Sequence, residues 1–184
     1  MAGPAAAGKD TVAQIICSLF GAQNLSTGDV LRAMSRYTYR KPADYMPVRE
    51  ELFTIGTFLR MEVDPAFTVK LCMKQAELLS IDRVVISGMR SLAEAQAIQQ
   101  RGGIVVGVNT DAKVRYDRIH DRARDSDTNQ SFEDFLKRDE LENHGVDGNG
   151  ITAIFAHADI VIDNAGLLEN VEAVVREKLT SLLS

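Results

Sequence analysis

The sequence predicts a three-layer α/β fold, in which helices cover both faces of a parallel sheet. Short apolar runs rich in β-branched residues alternate with longer segments whose apolar residues recur at helical spacing. No low-complexity tract or long linker interrupts this alternation. The 184 residues therefore predict a single domain over residues 1–184.

The elements follow one another in a regular order. The first helix is predicted over residues 9–20, where Val12, Ile16 and Leu19 fall on one face and Gly21 provides a stop. Later helices are predicted over residues 28–37, 48–61, 64–79, 91–101, 111–124, 131–144 and 167–183. Strands are predicted over residues 22–26, 83–87, 104–108 and 159–162.

Composition narrows the classes of function. The net charge of -5 argues against a dedicated nucleic-acid-binding protein, which would usually be basic. No apolar run reaches the length of a membrane span, and no signal peptide is recognisable. Cys17 and Cys72 are too few for a disulfide framework or a cysteine-based zinc site. We expect a cytoplasmic protein with small-molecule partners, no nucleic acid and no membrane; the oligomeric state is not predicted.

A glycine-containing segment, Gly3-x-x-x-x-Gly8-Lys9, stands directly before the first helix. Glycines let backbone N–H groups wrap around a phosphate, and the helix N-terminus adds partial positive charge. Lys9 can reach the transferring phosphates of ATP. The sequence therefore predicts an ATP-binding phosphate loop, the P-loop, composed of Gly3, Ala5, Ala6, Ala7, Gly8, Lys9, Asp10 and Thr11.

Two features depart from an ordinary P-loop. Asp10 stands where a serine or threonine hydroxyl usually meets magnesium, and because carboxylates are good ligands for Mg²⁺, Asp10 is the predicted metal residue. Only Met1 and Ala2 precede the loop, whereas a strand of about five residues normally does. The first strand is therefore predicted to be truncated, either because the start is truncated or misassigned or because the chain has lost this element.

A second motif follows at residues 25–32, Leu-Ser-Thr-Gly-Asp-Val-Leu-Arg. It resembles the acceptor segment of the P-loop nucleoside monophosphate kinases, the adenylate kinase-like family. The match is to an atypical short-lid branch with Gly-Lys-Asp-Thr in the P-loop. The resemblance implies that Thr27, Gly28 and Arg32 line the acceptor pocket, with Arg32 on the acceptor's phosphate. It places an acceptor-binding region at about residues 27–62.

Residues 84–90, Val-Val-Ile-Ser-Gly-Met-Arg, resemble the family's next strand and its Asp-Gly-x-Pro-Arg motif. Here the proline is absent and Ser87 replaces the aspartate. The resemblance implies that Arg90 holds the acceptor or the transferring phosphate. Ligands of such folds collect at the carboxyl edge of the sheet, where Arg90 would lie.

Arginines recur on the helix predicted over residues 111–124. Arg115, Arg118 and Arg122 share one face, and the resemblance implies that they border a short lid at about residues 122–150. Arg118 and Arg122 would then surround the transferring phosphate. A solvated helix with mixed charges stays the alternative. Arg124 and Arg138 are further candidates for the lid.

Asn164 follows the last predicted strand, where the family contacts ATP. The segment is equally consistent with a simple turn between strand and helix, so both interpretations stay open.

These motifs together predict a magnesium- and ATP-dependent kinase. The expected acceptor is a nucleoside or deoxynucleoside monophosphate, and the predicted catalytic residues are Lys9, Arg90, Arg118 and Arg122. Two alternatives stay open. One is a kinase for dephospho-coenzyme A or another metabolite. The other is a nucleotide-binding ATPase or switch protein with little kinase activity.

Overall fold

Helices and short strands alternate along the chain in the computed structural model, which describes residues 1–121, 131–145, 150–166 and 168–183. The helices are α1 (Lys9–Phe20), α2 (Thr27–Thr38), α3 (Arg49–Phe58), α4 (Phe67–Leu78), α5 (Leu92–Gln99), α6 (Ala112–Asp121), α7 (Phe132–His144), α8 (Ile151–Ala156) and α9 (Leu168–Leu183). The strands are β1 (Gln23–Ser26), β2 (Val84–Ser87), β3 (Val106–Asn109) and β4 (Ile160–Asp163).

The strands form two parallel pairs. β1 pairs with β2, and Ser26 lies opposite Ser87 at their carboxyl ends. β3 pairs with β4, and Asn109 lies opposite Asp163. The carboxyl ends within each pair therefore lie at the same edge.

Met1 and Ala2 lie between the two pairs. The Ala2 N–H donates to the Val106 carbonyl at 2.9 Å, and the Val108 N–H donates to the Ala2 carbonyl at 2.8 Å. On the other side, the Gly88 N–H donates to the Met1 carbonyl at 3.0 Å. Both bridges made by Ala2 are parallel, so the order across the sheet is β1, β2, Met1–Ala2, β3, β4. Met1 and Ala2 therefore hold the central position of the sheet, directly before the predicted P-loop.

The apolar core lies on both sides of this sheet. α1 and α9 cover one face, where Val12, Ile16, Val171 and Val175 pack around Ile162. α4, α5 and α8 contribute to the other face, where Val69, Cys72, Ala95 and Ile154 pack around Met89. The predicted three-layer α/β architecture is therefore confirmed.

Two local features differ from the sequence-based expectation. The helix predicted over 48–61 is α3 followed by a π-helical turn, Leu59–Val63, closed by the Asp64 N–H donating to the Leu59 carbonyl at 3.0 Å. A π turn adds a residue without ending the apolar stripe, so periodicity does not reveal it. α8 was not predicted, although its buried Ile151 and Ile154 are three residues apart.

Both cysteines are free thiols, as the sequence predicted. Burial raises the pKa of Cys72 to about 11, which keeps it a protonated core residue. Within the described ranges, no helix combines the length and the apolar character needed to cross a membrane.

Candidate active site

The P-loop continues directly from the central Met1–Ala2 strand. Ala6 (φ 57°) and Gly8 (φ 85°) both adopt the left-handed conformation. Turns containing left-handed residues direct successive N–H groups into a concavity that binds anions. For alanine this conformation costs about 1 kcal/mol, so the surrounding contacts hold the loop in this shape.

The first helix begins without a side-chain cap. The N-caps of α2, α5 and α7 are Ser26, Ser91 and Ser131, and each accepts a hydrogen bond from its helix. The N-cap of α1 is Gly8, and no side chain caps this end. The first N–H groups of a helix have no partners within the helix. The start of α1 therefore offers donors and a positive dipole to a phosphate.

Lys9 lies at the P-loop. Its Nζ donates to the Pro4 carbonyl at 2.9 Å, so the ammonium group stays beside the loop. The predicted ATP-binding role of Lys9 is compatible with this position, because a phosphate oxygen is a charge-assisted alternative partner.

Asp10 and Thr11 lie in the first turn of α1, and the Asp10 carboxylate is exposed. Within the described part of the chain, no cluster of three or more metal-ligating side chains forms a protein-only metal site. This donor set fits Mg²⁺, which usually keeps several waters and binds through one or two carboxylates together with substrate phosphates.

Asn164, directly after β4, contacts the P-loop. Its side-chain Nδ2 donates to the Ala7 carbonyl at 2.9 Å, and its backbone N–H donates to the Asn109 carbonyl at 2.8 Å. A Cβ atom added to Gly8 would lie 1.9 Å from this Nδ2. Gly8 is therefore required by its φ angle and by the contact with Asn164. The sequence left Asn164 open between a contact for ATP and a simple turn, and the structure gives its side chain a positioning contact on the loop.

We expect Gly8→Ala to reduce the free energy of unfolding by about 2–4 kcal/mol and to weaken ATP binding, because it combines an unfavourable φ angle with a clash. Gly21→Ala is the matched control: Gly21 has a φ of 64°, and nothing lies within 4 Å of its added Cβ. It should cost about 1 kcal/mol and leave ATP binding unchanged. Urea unfolding and calorimetric titration with ATP measure both effects. Equal losses in the two variants would show that the contact with Asn164 is unimportant.

Arg118 reaches the P-loop from α6. Its Nη2 donates to the Asn164 carbonyl at 2.8 Å and its Nη1 to the Ala6 carbonyl at 3.4 Å. The guanidinium group also lies 3.8 Å from the position of a Cβ on Gly8. This is where a residue that contacts ATP phosphates would have to lie. Two segments of the predicted lid, residues 122–130 and 146–149, lie outside the described residues. The first of them contains Arg122 and Arg124.

Arg115 has a different environment from Arg118, although the sequence placed them in one stripe. Its guanidinium forms a bidentate ion pair with Asp139 of α7, with distances of 2.6 and 2.7 Å. The side chains are only 6% and 11% exposed. Its Nε donates to the Thr110 carbonyl at 3.1 Å. Arg115 therefore anchors α7 beside the P-loop, a role that the arginine pattern did not reveal.

On the acceptor side, Thr27 links the start of α2 to the end of β2. The Thr27 hydroxyl donates to the Gly88 carbonyl at 2.8 Å. Gly88 has a φ of 93°, and a Cβ there would lie 2.7 Å from the Thr27 oxygen. Arg32, predicted to hold the acceptor phosphate, forms a partly exposed ion pair with Asp29 at 2.5 Å. For Arg32 to hold the acceptor phosphate, the phosphate would have to bind the Arg32 guanidinium in place of Asp29 or together with it.

Arg90 lies at the carboxyl edge of the sheet, directly after Met89, which bridges to Ala2. Its backbone N–H donates to the Glu94 carboxylate at 2.6 Å. Burial lowers the pKa of the Arg90 guanidinium, and the positive charges of Arg49 and Arg60 act in the same direction. Arg90 therefore stands near the P-loop strand and within the electrostatic reach of two further arginines.

Three charged residues of this region were not predicted from the sequence: Arg49, Arg60 and Glu142. Arg49 forms an ion pair with Glu142, and Arg138 donates to the same carboxylate at 3.2 Å. Two signals were available. Arg49 and Arg60 are about three helical turns apart within the predicted acceptor region, and Arg138 and Glu142 have i,i+4 spacing.

Comparison with known proteins places this geometry in a known fold. TT1252 from Thermus thermophilus matches with a TM-score of 0.60 and 21% identity, over 98% of this chain and 94% of that one. Shikimate kinase from Acinetobacter baumannii, solved in complex with shikimate, gives a TM-score of 0.55 and 19% identity over 98% and 89%. Shikimate kinase from Aquifex aeolicus gives 0.54 and 16% over 98% and 95%. The chain has a shikimate kinase-like P-loop fold.

The predicted P-loop kinase fold is thereby confirmed. No protein-family model matches the sequence, and no curated protein matches it. At these identities the structural likeness concerns the fold, so the nucleoside monophosphate type of kinase stays a prediction.

Proposed function

We propose that the protein transfers the γ-phosphoryl group of ATP to a small acceptor that carries an anionic group, specifically a nucleoside or deoxynucleoside monophosphate. The observation that carries this proposal is the position of the P-loop on the central strand. β2 lies on one side of this strand and leads to Arg90, while β3 lies on the other side and leads to the helix of Arg118. Cationic groups from a donor side and an acceptor side thus flank one phosphate-binding loop.

On the donor side, the backbone N–H groups of the P-loop and the start of α1 would hold the β- and γ-phosphates of ATP. Lys9 and Arg118 would neutralise charge on the transferring group, and we assign Arg122 the same role from its sequence position. Asp10 would hold magnesium directly or through water. When bound, the ion supplies positive charge to the phosphates.

On the acceptor side, Arg90 and Arg32 would orient the acceptor's phosphate, while Thr27 and Gly28 would line its pocket. The reaction is an in-line displacement. An acceptor oxygen bonds to the γ-phosphorus while the bond to the oxygen bridging the β and γ groups breaks, and ADP leaves. The protein contributes positioning and positive charge, and forms no covalent intermediate.

A coupled assay of ADP release over a panel of acceptors tests this proposal. The panel contains nucleoside and deoxynucleoside monophosphates, dephospho-coenzyme A and shikimate, with a blank that lacks an acceptor. We expect release of ADP above the blank with one class of monophosphate. Release only with dephospho-coenzyme A or shikimate would change the acceptor and keep the reaction. ADP release that no acceptor stimulates would contradict the kinase proposal.

The second candidate is an ATPase or switch protein with little kinase activity. One observation favours it: Ser87, at the end of β2, is 2% exposed and supplies no carboxylate where the family has its magnesium aspartate. An activity that is equal with and without every acceptor would support this candidate.

A further inference from the structure

Arginines from three parts of the chain lie in the region of Arg90 and of Glu142 in α7. Arg49 of α3 and Arg138 of α7 bind its carboxylate, which is 18% exposed. The charges of Glu142, Arg49 and Arg60 all act on Arg90, so each of these three groups lies within electrostatic reach of Arg90. We call Arg49, Arg60, Arg90, Arg138 and Glu142 the acceptor-side cluster.

Among the described residues, the arginines of this cluster outnumber the carboxylates that act on them. Arg60 and Arg90 are partly buried residues, and neither guanidinium group makes a hydrogen bond within the described residues. Glu94 is the other carboxylate that acts on Arg90, but its Oε2 already accepts from the N–H groups of Arg90 and Ser91 and its Oε1 accepts from the Thr68 hydroxyl. Among the described residues, Glu142 is thus the carboxylate that pairs with guanidinium groups of this cluster. Partly buried like charges repel unless an anion joins them.

We propose that Glu142 is a built-in competitor for the acceptor: its carboxylate engages Arg49, and the acceptor's anionic group displaces it to bind Arg49 together with Arg90. This inference rests on the proposed function, since it concerns the acceptor side of that site. It assigns Arg49 to acceptor binding and makes Glu142 a residue that sets the affinity for anionic acceptors.

The contacts of α7 allow this exchange without releasing the helix. Asp139, one turn before Glu142, holds the buried Arg115, which in turn lies at the P-loop. That ion pair is far less exposed than the pair of Arg49 and Glu142, whose side chains are 35% and 18% exposed. Displacement of Glu142 therefore affects the acceptor-side end of α7 while Asp139 keeps the helix in place.

The chemistry of the cluster fits a phosphate monoester or a carboxylate, because planar guanidinium groups bind both with paired hydrogen bonds. Inorganic phosphate and acetate therefore serve as the two probes. The binding readout is the NMR signal of each arginine Nε–H, assigned through its own arginine-to-lysine variant. This readout is specific for the site, so binding of phosphate at the P-loop does not interfere.

In the wild-type protein, we expect phosphate to shift the signals of Arg49 and Arg90 with one dissociation constant. The side-chain carboxyl signal of Glu142 should shift in the same titration, because it loses its partner. Glu142→Gln should bind phosphate about fivefold more tightly, as expected for removal of one competing charge. Glu140→Gln removes the same charge from an exposed position of the same helix and should leave the dissociation constant unchanged. Acetate should reproduce the pattern if the site accepts carboxylates.

Equal or weaker phosphate binding by Glu142→Gln would overturn the proposal. If that variant does not fold, the wild-type titration decides. Shifts of Arg49 without a shift of Glu142, or no shift of Arg49 at all, would each contradict displacement. None of these readouts requires ATP or turnover, so failure of the proposed kinase activity would be seen separately in the acceptor panel.

Discussion

Replacing Lys9 by alanine is expected to lower kcat/KM for ATP-dependent phosphoryl transfer by at least about 100-fold, or roughly 2.7 kcal/mol of transition-state stabilisation. Lys9 is the ammonium group held beside the P-loop, with its Nζ 2.9 Å from the Pro4 carbonyl. Without it, charge that develops on the transferring phosphate loses a fixed positive partner. Steady-state kinetics with the acceptor found in the panel measure the effect.

Lys74→Ala is the control for the loss of a lysine. Lys74 forms an exposed ion pair with Glu77 on α4, away from the P-loop, so its removal should leave kcat/KM unchanged. Lys9→Ala must also keep its unfolding midpoint close to that of the wild type. A folded Lys9→Ala protein with wild-type turnover and ATP affinity would show that the P-loop has been misidentified.

Replacing Asp139 by asparagine is expected to lower the free energy of unfolding by about 3–5 kcal/mol, because it leaves the buried Arg115 charge without its partner. The side chains of this pair are 6% and 11% exposed, and both hydrogen bonds are short. Urea-induced unfolding measures the loss. Glu172→Gln breaks an exposed ion pair with Arg176 and should cost less than about 1 kcal/mol.

The double variant Arg115→Met with Asp139→Leu distinguishes loss of the pair from loss of packing. It removes both charges, so it should recover much of the stability lost in Asp139→Asn. A double variant no more stable than the single one would mean that the Arg115 contacts with backbone carbonyls carry the effect.

The donor half of the site could be predicted from the sequence because it is local. The P-loop motif, its lysine and the following helix lie within residues 3–20, and Gly8 marks the turn whose φ angle requires glycine. The helices were recognisable because their apolar residues repeat at helical spacing. The pairing of Met1 and Ala2 on both sides was not, because two residues carry no periodicity and only their hydrogen bonds to the segments around β2 and β3 reveal it.

The acceptor half depends on contacts between distant segments. Arg49 and Glu142 are 93 positions apart, so no local pattern connects them. Arg115 shows a second reason why residue spacing does not predict the site. It shares a helix face with Arg118, yet burial against Asp139 of another helix gives it a structural contact. Which arginine is buried depends on packing that residue spacing does not encode.

The central claim is that the γ-phosphoryl group of ATP passes to an acceptor. The most direct measurement uses ATP labelled with ¹⁸O at the γ-phosphate and follows the products by mass spectrometry, with wild-type protein and Lys9→Ala in parallel. We predict that the wild type places the labelled phosphoryl group on the acceptor, with little in inorganic phosphate, and that Lys9→Ala does so far more slowly. Label that appears only in inorganic phosphate, at a rate independent of the acceptor, would contradict the account.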